Sequence, residues 1–244
     1  LTVAAASGVG STGAGYHGPP RPLQPAATAM PLPWGMHRSP LAYPVGTLRH
    51  LTAAEVEAAP ELAALARLTE AGWRWRGVAL PASLEEGFYR LNNLPRRLAA
   101  LYAGLDPRDP DEDIVEEAEE EALALVGQHY LLDETVDAIY EALSGLPAAV
   151  TVRRPDAGAG LGADHPRAAL LAVKHLMQAD WRVDAVLDRL SLTASLALDA
   201  RPVLVTPADE RDSEAASRRA SELLGSAVRV LVDAHGDLTG VRLA

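Results

Sequence analysis

Residues 109–126 read DPDEDIVEEAEEEALALV, and this stretch decides the fold class. Asp109 precedes Pro110, an arrangement suited to a helix N-cap followed by the first helical position. The carboxylates that crowd the first turns meet the positive end of the helix dipole. Ile114, Val115, Ala118, Ala122, Leu125 and Val126 recur at spacings of three and four, so one stripe faces a core and the glutamates face away. The spacing predicts a helix from Pro110 to about Val126. Gly127 is the break before a second stripe, Leu132, Val136, Ile139, Tyr140 and Leu143, which Gly145 closes. The pair reads as an acidic helical hairpin or as one kinked rod.

Upstream, Thr52 and Glu55 have capping-box spacing, Pro60 opens a further turn, and Ser83 with Glu86 repeats the box. Between them, Trp73-Arg74-Trp75-Arg76-Gly77-Val78-Ala79-Leu80 alternates and predicts a short strand. Residues 1–46 hold eight prolines and seven glycines without periodicity, which predicts an extended arm. Downstream, Ala149 to Arg153 is strand-like, and Pro155 to Asp164 is a glycine-rich loop. Pro166 to Asp180 and Arg182 to Leu198 are helical, and Pro202 to Thr206 is a strand. A helix starts at Thr206-Pro207-Ala208-Asp209 and ends at Gly225. Ala227 to Val232 then pairs with Leu238 to Leu243 through His235-Gly236. The expected fold is α+β and mostly helical. It comprises an arm (1–46), a helical domain with the acidic hairpin (47–146) and a small α/β domain ending in a β-hairpin (147–244).

Charge is segregated along this plan. The net charge is −11, yet residues 1–105 carry +3, residues 106–145 carry −13 and residues 146–244 carry −1. The absence of cysteine excludes disulfides, thiol nucleophiles and Cys-ligated metal. No run approaches ~18 apolar residues, and Leu1-Thr2-Val3-Ala4 lacks the basic flank of a secretory signal. The expectation is a cytoplasmic chain with no membrane partner.

Three constellations carry chemistry. Gly158-Ala159-Gly160-Leu161-Gly162 fits neither phosphate-binding fingerprint and reads as a connector. Trp73, Arg74, Trp75 and Arg76 interleave rings and cations, a pattern that stacks bases and grips phosphate, or packs an ordinary edge strand. Glu116 and Glu120 share a helix face, as do Glu134 and Asp137, so two facing helices can bring carboxylates to a divalent cation. The histidines, His165 and His175 included, have neither metal-ligand spacing nor a triad pattern.

The spacing Glu116-Glu117-x-x-Glu120, then Glu134-x-x-Asp137, resembles that of the MazG-like nucleotide pyrophosphohydrolases over the acidic segment alone. The resemblance implies an all-α, dimeric or tetrameric enzyme that hydrolyses nucleoside triphosphates to monophosphates. Mg²⁺ would be held by Glu116, Glu117, Glu120, Glu134 and Asp137, which would also activate water.

No complete catalytic set is present. The leading expectation is therefore an interaction or regulatory protein that self-associates or binds a basic protein through the acidic helical face, without a cofactor. A Mg²⁺-dependent pyrophosphohydrolase and a nucleic-acid-binding accessory protein are the alternatives.

Overall fold

The computed structural model describes residues 46–243, so the arm expected at 1–46 lies outside the described residues apart from Gly46. After a 3₁₀ turn at Leu48–His50 come α1 (Ala53–Ala58), α2 (Pro60–Glu70), β1 (Val78–Leu80), α3 (Ala82–Leu91) and α4 (Leu94–Leu101). Then follow α5 (Glu112–Gly127), α6 (Asp133–Leu143), β2 (Val150–Arg153), β3 (Leu161–Ala163), α7 (Pro166–Ala179) and α8 (Val183–Thr193). The chain ends with β4 (Val203–Pro207), β5 (Arg211–Asp212), α9 (Glu214–Leu224), β6 (Val228–Val232) and β7 (Leu238–Leu243). The fold is α+β and mostly helical, and it closes on the expected β-hairpin.

Local chemistry sets the helix ends. Thr52 Oγ1 accepts the Glu55 N–H at 3.2 Å, and Glu55 Oε2 accepts the Thr52 N–H at 2.6 Å. The same carboxylate takes the Ala82 N–H through Oε1 at 2.6 Å, tying the start of α1 to the start of α3. The second box is absent, because α3 begins at Ala82 with Pro81 at its cap position and Ser83 already inside the helix. Asp111, two residues later than expected, caps α5 by accepting the Asp113 N–H at 3.1 Å. On α5, Val115, Ala118, Ala122, Leu125 and Val126 are buried, as the stripe predicts. Three side chains then take carbonyls left free in its last turns. Gln178 binds Leu123 O, His129 binds Leu125 O, and Lys174 binds Gly127 O at 2.7 Å. The chain leaves the helix there, and α6 starts afresh after the buried Leu131.

A four-stranded antiparallel sheet has the order β1-β4-β2-β3, and a three-stranded one the order β5-β6-β7. One face of the larger sheet, with Val78, Leu80, Val150, Val152, Val203 and Val205, packs into a core shared with α3, α4, α5, α7 and α8. Its other face, with Ala79 and Leu204, joins α2, α9 and the smaller sheet in a second core. Because β1 pairs with β4 and α2 packs on β7, contacts cross position 147, where the sequence suggested a boundary.

The strand expected over 73–80 is divided between the two sheets. Arg76 N–H donates to Leu238 O at 2.7 Å and Leu238 N–H to Arg74 O at 2.9 Å, whereas Val78–Leu80 pair with β4. Gly77 marks the change of sheet, and a Cβ there would lie 2.5 Å from the Trp75 ring. Two other departures from the sequence reading are local. β3 emerges inside the glycine-rich loop, and β5 occupies the place of the first turns expected for α9, which Ser213 caps instead.

Gly160 lets β3 close on β2. A Cβ at this position would come within 2.5 Å of Thr151 Cγ2 and 2.9 Å of Val152 O, whereas one at Gly162 meets open space. Gly160→Ala should therefore cost about 1 to 3 kcal/mol by overpacking, seen as a fall of several degrees in Tm. Gly162→Ala should leave Tm nearly unchanged, and equal effects from the two would refute this account of the hairpin.

Candidate functional site

The acidic residues proposed from the sequence all reach the surface. Glu116, Glu117 and Glu120 on α5 are exposed, as are Glu134 and Asp137 on α6. Both helices pack against α7. Among the described residues, no three His, Asp or Glu side chains come together closely enough to hold a metal ion. The carboxylates suit a metal in type but not in grouping.

Glu112, Asp113, Glu116, Glu117, Glu120 and Glu121 form a continuous exposed stripe on α5. None of them has an ion pair among the described residues. Glu119 differs, since it is half-buried and accepts the Val183 N–H at 3.1 Å, capping α8.

The Trp73 to Arg76 motif is differently placed. Trp73 and Trp75 both pack on the second core, Trp73 beneath the Arg219 guanidinium at 5.3 Å and Trp75 with its indole N–H toward Thr239 O. Arg74, Trp75 and Arg76 line a groove of about 1020 Å³ together with Glu141, His235 and Asp237. Both arginines are already matched, Arg76 to Asp233 at 2.7 Å and Arg74 to Asp237 at 3.5 Å. The groove brings cations and rings together, but both cations are already engaged by acids of the fold.

Sequence reasoning missed the most connected polar cluster. Arg153 ends β2 and Arg154 follows it, and the extended alternation sends them to opposite faces of the sheet. Arg153, 4% exposed, forms a two-pronged pair with Glu61 of α2 at 2.6 Å and 2.6 Å. The Glu61 carboxylate also receives the Asp156 and Val241 N–H groups, so one side chain joins α2, the loop after β2, and β7. Arg154 pairs with Glu85 of α3 and with Asp180 after α7, and Asp180 in turn holds Arg201. Burial pushes the Glu85 carboxyl above its ordinary range, against the pull of Arg154. Adjacent charged residues of one sign are common on surfaces, and only their place at the end of an apolar strand hinted at burial.

Beside Arg154 a cleft of about 610 Å³ opens between α1, the start of α3 and the segment preceding β4. Alanines and prolines form most of its wall, with Glu86, Asp156 and Asp199 among its acids.

The sequence matches no family model and no curated protein. Among the described residues no helix is long and apolar enough to cross a membrane.

Two predictions follow from these ion pairs. Glu61→Leu leaves the Arg153 guanidinium buried without a counter-charge and should cost about 3 to 5 kcal/mol in denaturant unfolding. Adding Arg153→Met should recover most of that loss, and a loss in the double variant equal to the sum of the single ones would show that the pair is not coupled.

The second concerns Asp233. Its burial would raise the carboxyl, but the Arg76 hydrogen bond and the N–H groups of Asp237 and His235 outweigh this and hold it below its ordinary value. Its contribution is therefore complete above the unfolded value of about 3.9 and is lost as pH falls through the lowered folded value. Asp233→Asn should reduce the fall of Tm on acidification from pH about 5 to about 2. An unchanged acid limb would show that this carboxylate does not contribute to it.

Proposed function

We propose that this chain is an interaction module that presents the acidic face of α5 to a cationic protein surface. The observation that carries this reading is the contrast between two sets of carboxylates. Glu61, Glu85, Asp180 and Asp233 are each matched by arginine inside the fold, whereas those of the α5 stripe face solvent with no ion pair among the described residues. Residues 112 and 116, 113 and 117, 116 and 120, and 117 and 121 repeat at the four-residue helical spacing. Each such like-charge pair disfavours the helix by about 0.2 to 0.5 kcal/mol. A cationic partner relieves that repulsion on contact and is drawn in by the local field. The helix is held by its buried stripe, so the face is presented as a rigid array.

The groove beside Trp75 supports a nucleic-acid partner less well, because its arginines are matched by Asp233 and Asp237. The two tryptophans there are committed to the second core.

Poly-L-arginine serves as a defined cationic probe. It should bind the chain at roughly 0.1 M salt and release it near 1 M, where the screening length falls from about 10 Å to about 3 Å. Glu116→Gln/Glu117→Gln/Glu120→Gln should weaken binding by about tenfold or more while Tm stays level or rises. Binding unaffected by the triple change would overturn the reading. Mg²⁺-dependent release of pyrophosphate from a nucleoside triphosphate, lost in Glu120→Gln or Asp137→Asn, would replace it with the activity that the motif's resemblance implies.

A further inference from the structure

We infer that the cleft between α1 and α3 is a binding site for an aliphatic amine or polyamine, separate from the acidic face of α5. Its volume of about 610 Å³ falls within the roughly 300 to 1,000 Å³ typical of small-molecule sites. The space exists because Ala58, Ala82, Pro155 and Pro202 line it and their side chains are too short to fill it. Such walls offer methyl and ring surface to a methylene chain and no hydrogen bond to a polar one.

The charges select the sign of the ligand. At the base, Arg154 is spent on Glu85 and Asp180, and Arg201, whose side chain is half exposed, is held by Asp180. These four groups cancel, which leaves the other carboxylates of the lining uncompensated. Glu86 and Asp199 are exposed at the rim with neither an ion pair nor a side-chain hydrogen bond among the described residues. Asp156 receives the Glu61 N–H on Oδ1 at 2.8 Å, and burial holds its carboxyl above the ordinary range despite that bond. An anion would meet these acids while both arginines are already engaged by Glu85 and Asp180. A neutral apolar ligand would strip water from the acids and return nothing. An ammonium group donates three hydrogen bonds to them, and its alkyl stem lies along the alanine wall. In the larger groove beside Trp75 the two arginines are matched by Asp233 and Asp237, and Glu141 is the lining acid without an ion pair among the described residues.

Spermidine is the probe, titrated calorimetrically into the chain at roughly 0.1 M salt. One saturable site is expected. Glu86→Gln/Asp199→Asn should weaken it by about tenfold or more, since each lost charge-assisted bond is worth roughly that factor. Ala58→Phe, a change at an exposed helix position, should fill the cleft and abolish binding with the fold intact by circular dichroism. The α5 variant Glu116→Gln/Glu117→Gln/Glu120→Gln should bind spermidine as the parent does. No saturable binding by the parent, or binding that survives Ala58→Phe, would overturn the proposal, as would binding lost only in the α5 variant. Poly-L-arginine binding by the Ala58→Phe chain reports on the α5 face alone, so either idea can fail without the other.

Discussion

Two consecutive arginines at the end of a central strand organise this fold. Arg153 and Arg154 lie on opposite faces of the sheet because strand side chains alternate, and each is taken up by a glutamate from a different helix. Breaking either pair strands a buried guanidinium, a penalty far larger than the modest net worth of the intact pair. The consequence is positional specificity more than added stability. Glu61 fixes α2 against β7 through the Val241 N–H, and Glu85 fixes α3 against the end of α7 through Arg154 and Asp180. Each core thus has one helix locked in register by charge and packed by apolar contact. Tyr89 extends the second lock, since its hydroxyl donates to Met177 O and receives the Trp181 indole N–H.

How much of this was legible follows from the range of each interaction. The box at Thr52 and Glu55 works over three residues, and the apolar stripe of α5 repeats within sixteen, so both stand in the sequence as they stand in the fold. The partners of Arg153 and Arg154 lie 92 and 69 residues upstream, and nothing local names them. The segment from Trp73 to Leu80 shows the intermediate case. Alternation grouped the two tryptophans without saying what they meet, and it could not show that they pack on the second core or that Gly77 divides the segment between two sheets. The surface readings were the least determined, because four-residue spacing puts Glu116 and Glu120 on one face without saying what that face meets. The structure leaves Glu116, Glu117, Glu120, Glu134 and Asp137 exposed, and the short strands β3 and β5 carried no periodic signal long enough to read.

The acidic helix persists despite its charge because both ends and one side are well satisfied. Its first turn carries Glu112 and Asp113, where the dipole favours anions, and Asp111 caps it. Its last carbonyls are taken by Gln178, His129 and Lys174, the last placing an ammonium where the dipole is negative. Lys174 also lies 5.0 Å from the Tyr130 ring, and desolvation lowers its pKa. The Arg97 guanidinium can only donate, so its 2.9 Å contact with His129 Nε2 makes that nitrogen the acceptor and leaves Nδ1–H for Leu125 O. The C-terminal end of the helix gains its cation from Lys174.

These supports lie on the buried side and at the ends of α5, while the repulsion lies wholly on its outer face. The two are therefore separable. Neutralising Glu116, Glu117 and Glu120 removes a cost that no ion pair among the described residues offsets, whereas neutralising Glu119 uncaps α8 at Val183. Among the described residues the fold matches its most deeply buried carboxylates with arginine and leaves the outer face of α5 as a dense run of unmatched ones. Any binding that engages this face gains from charge relief without disturbing the arginine locks on which the two cores depend.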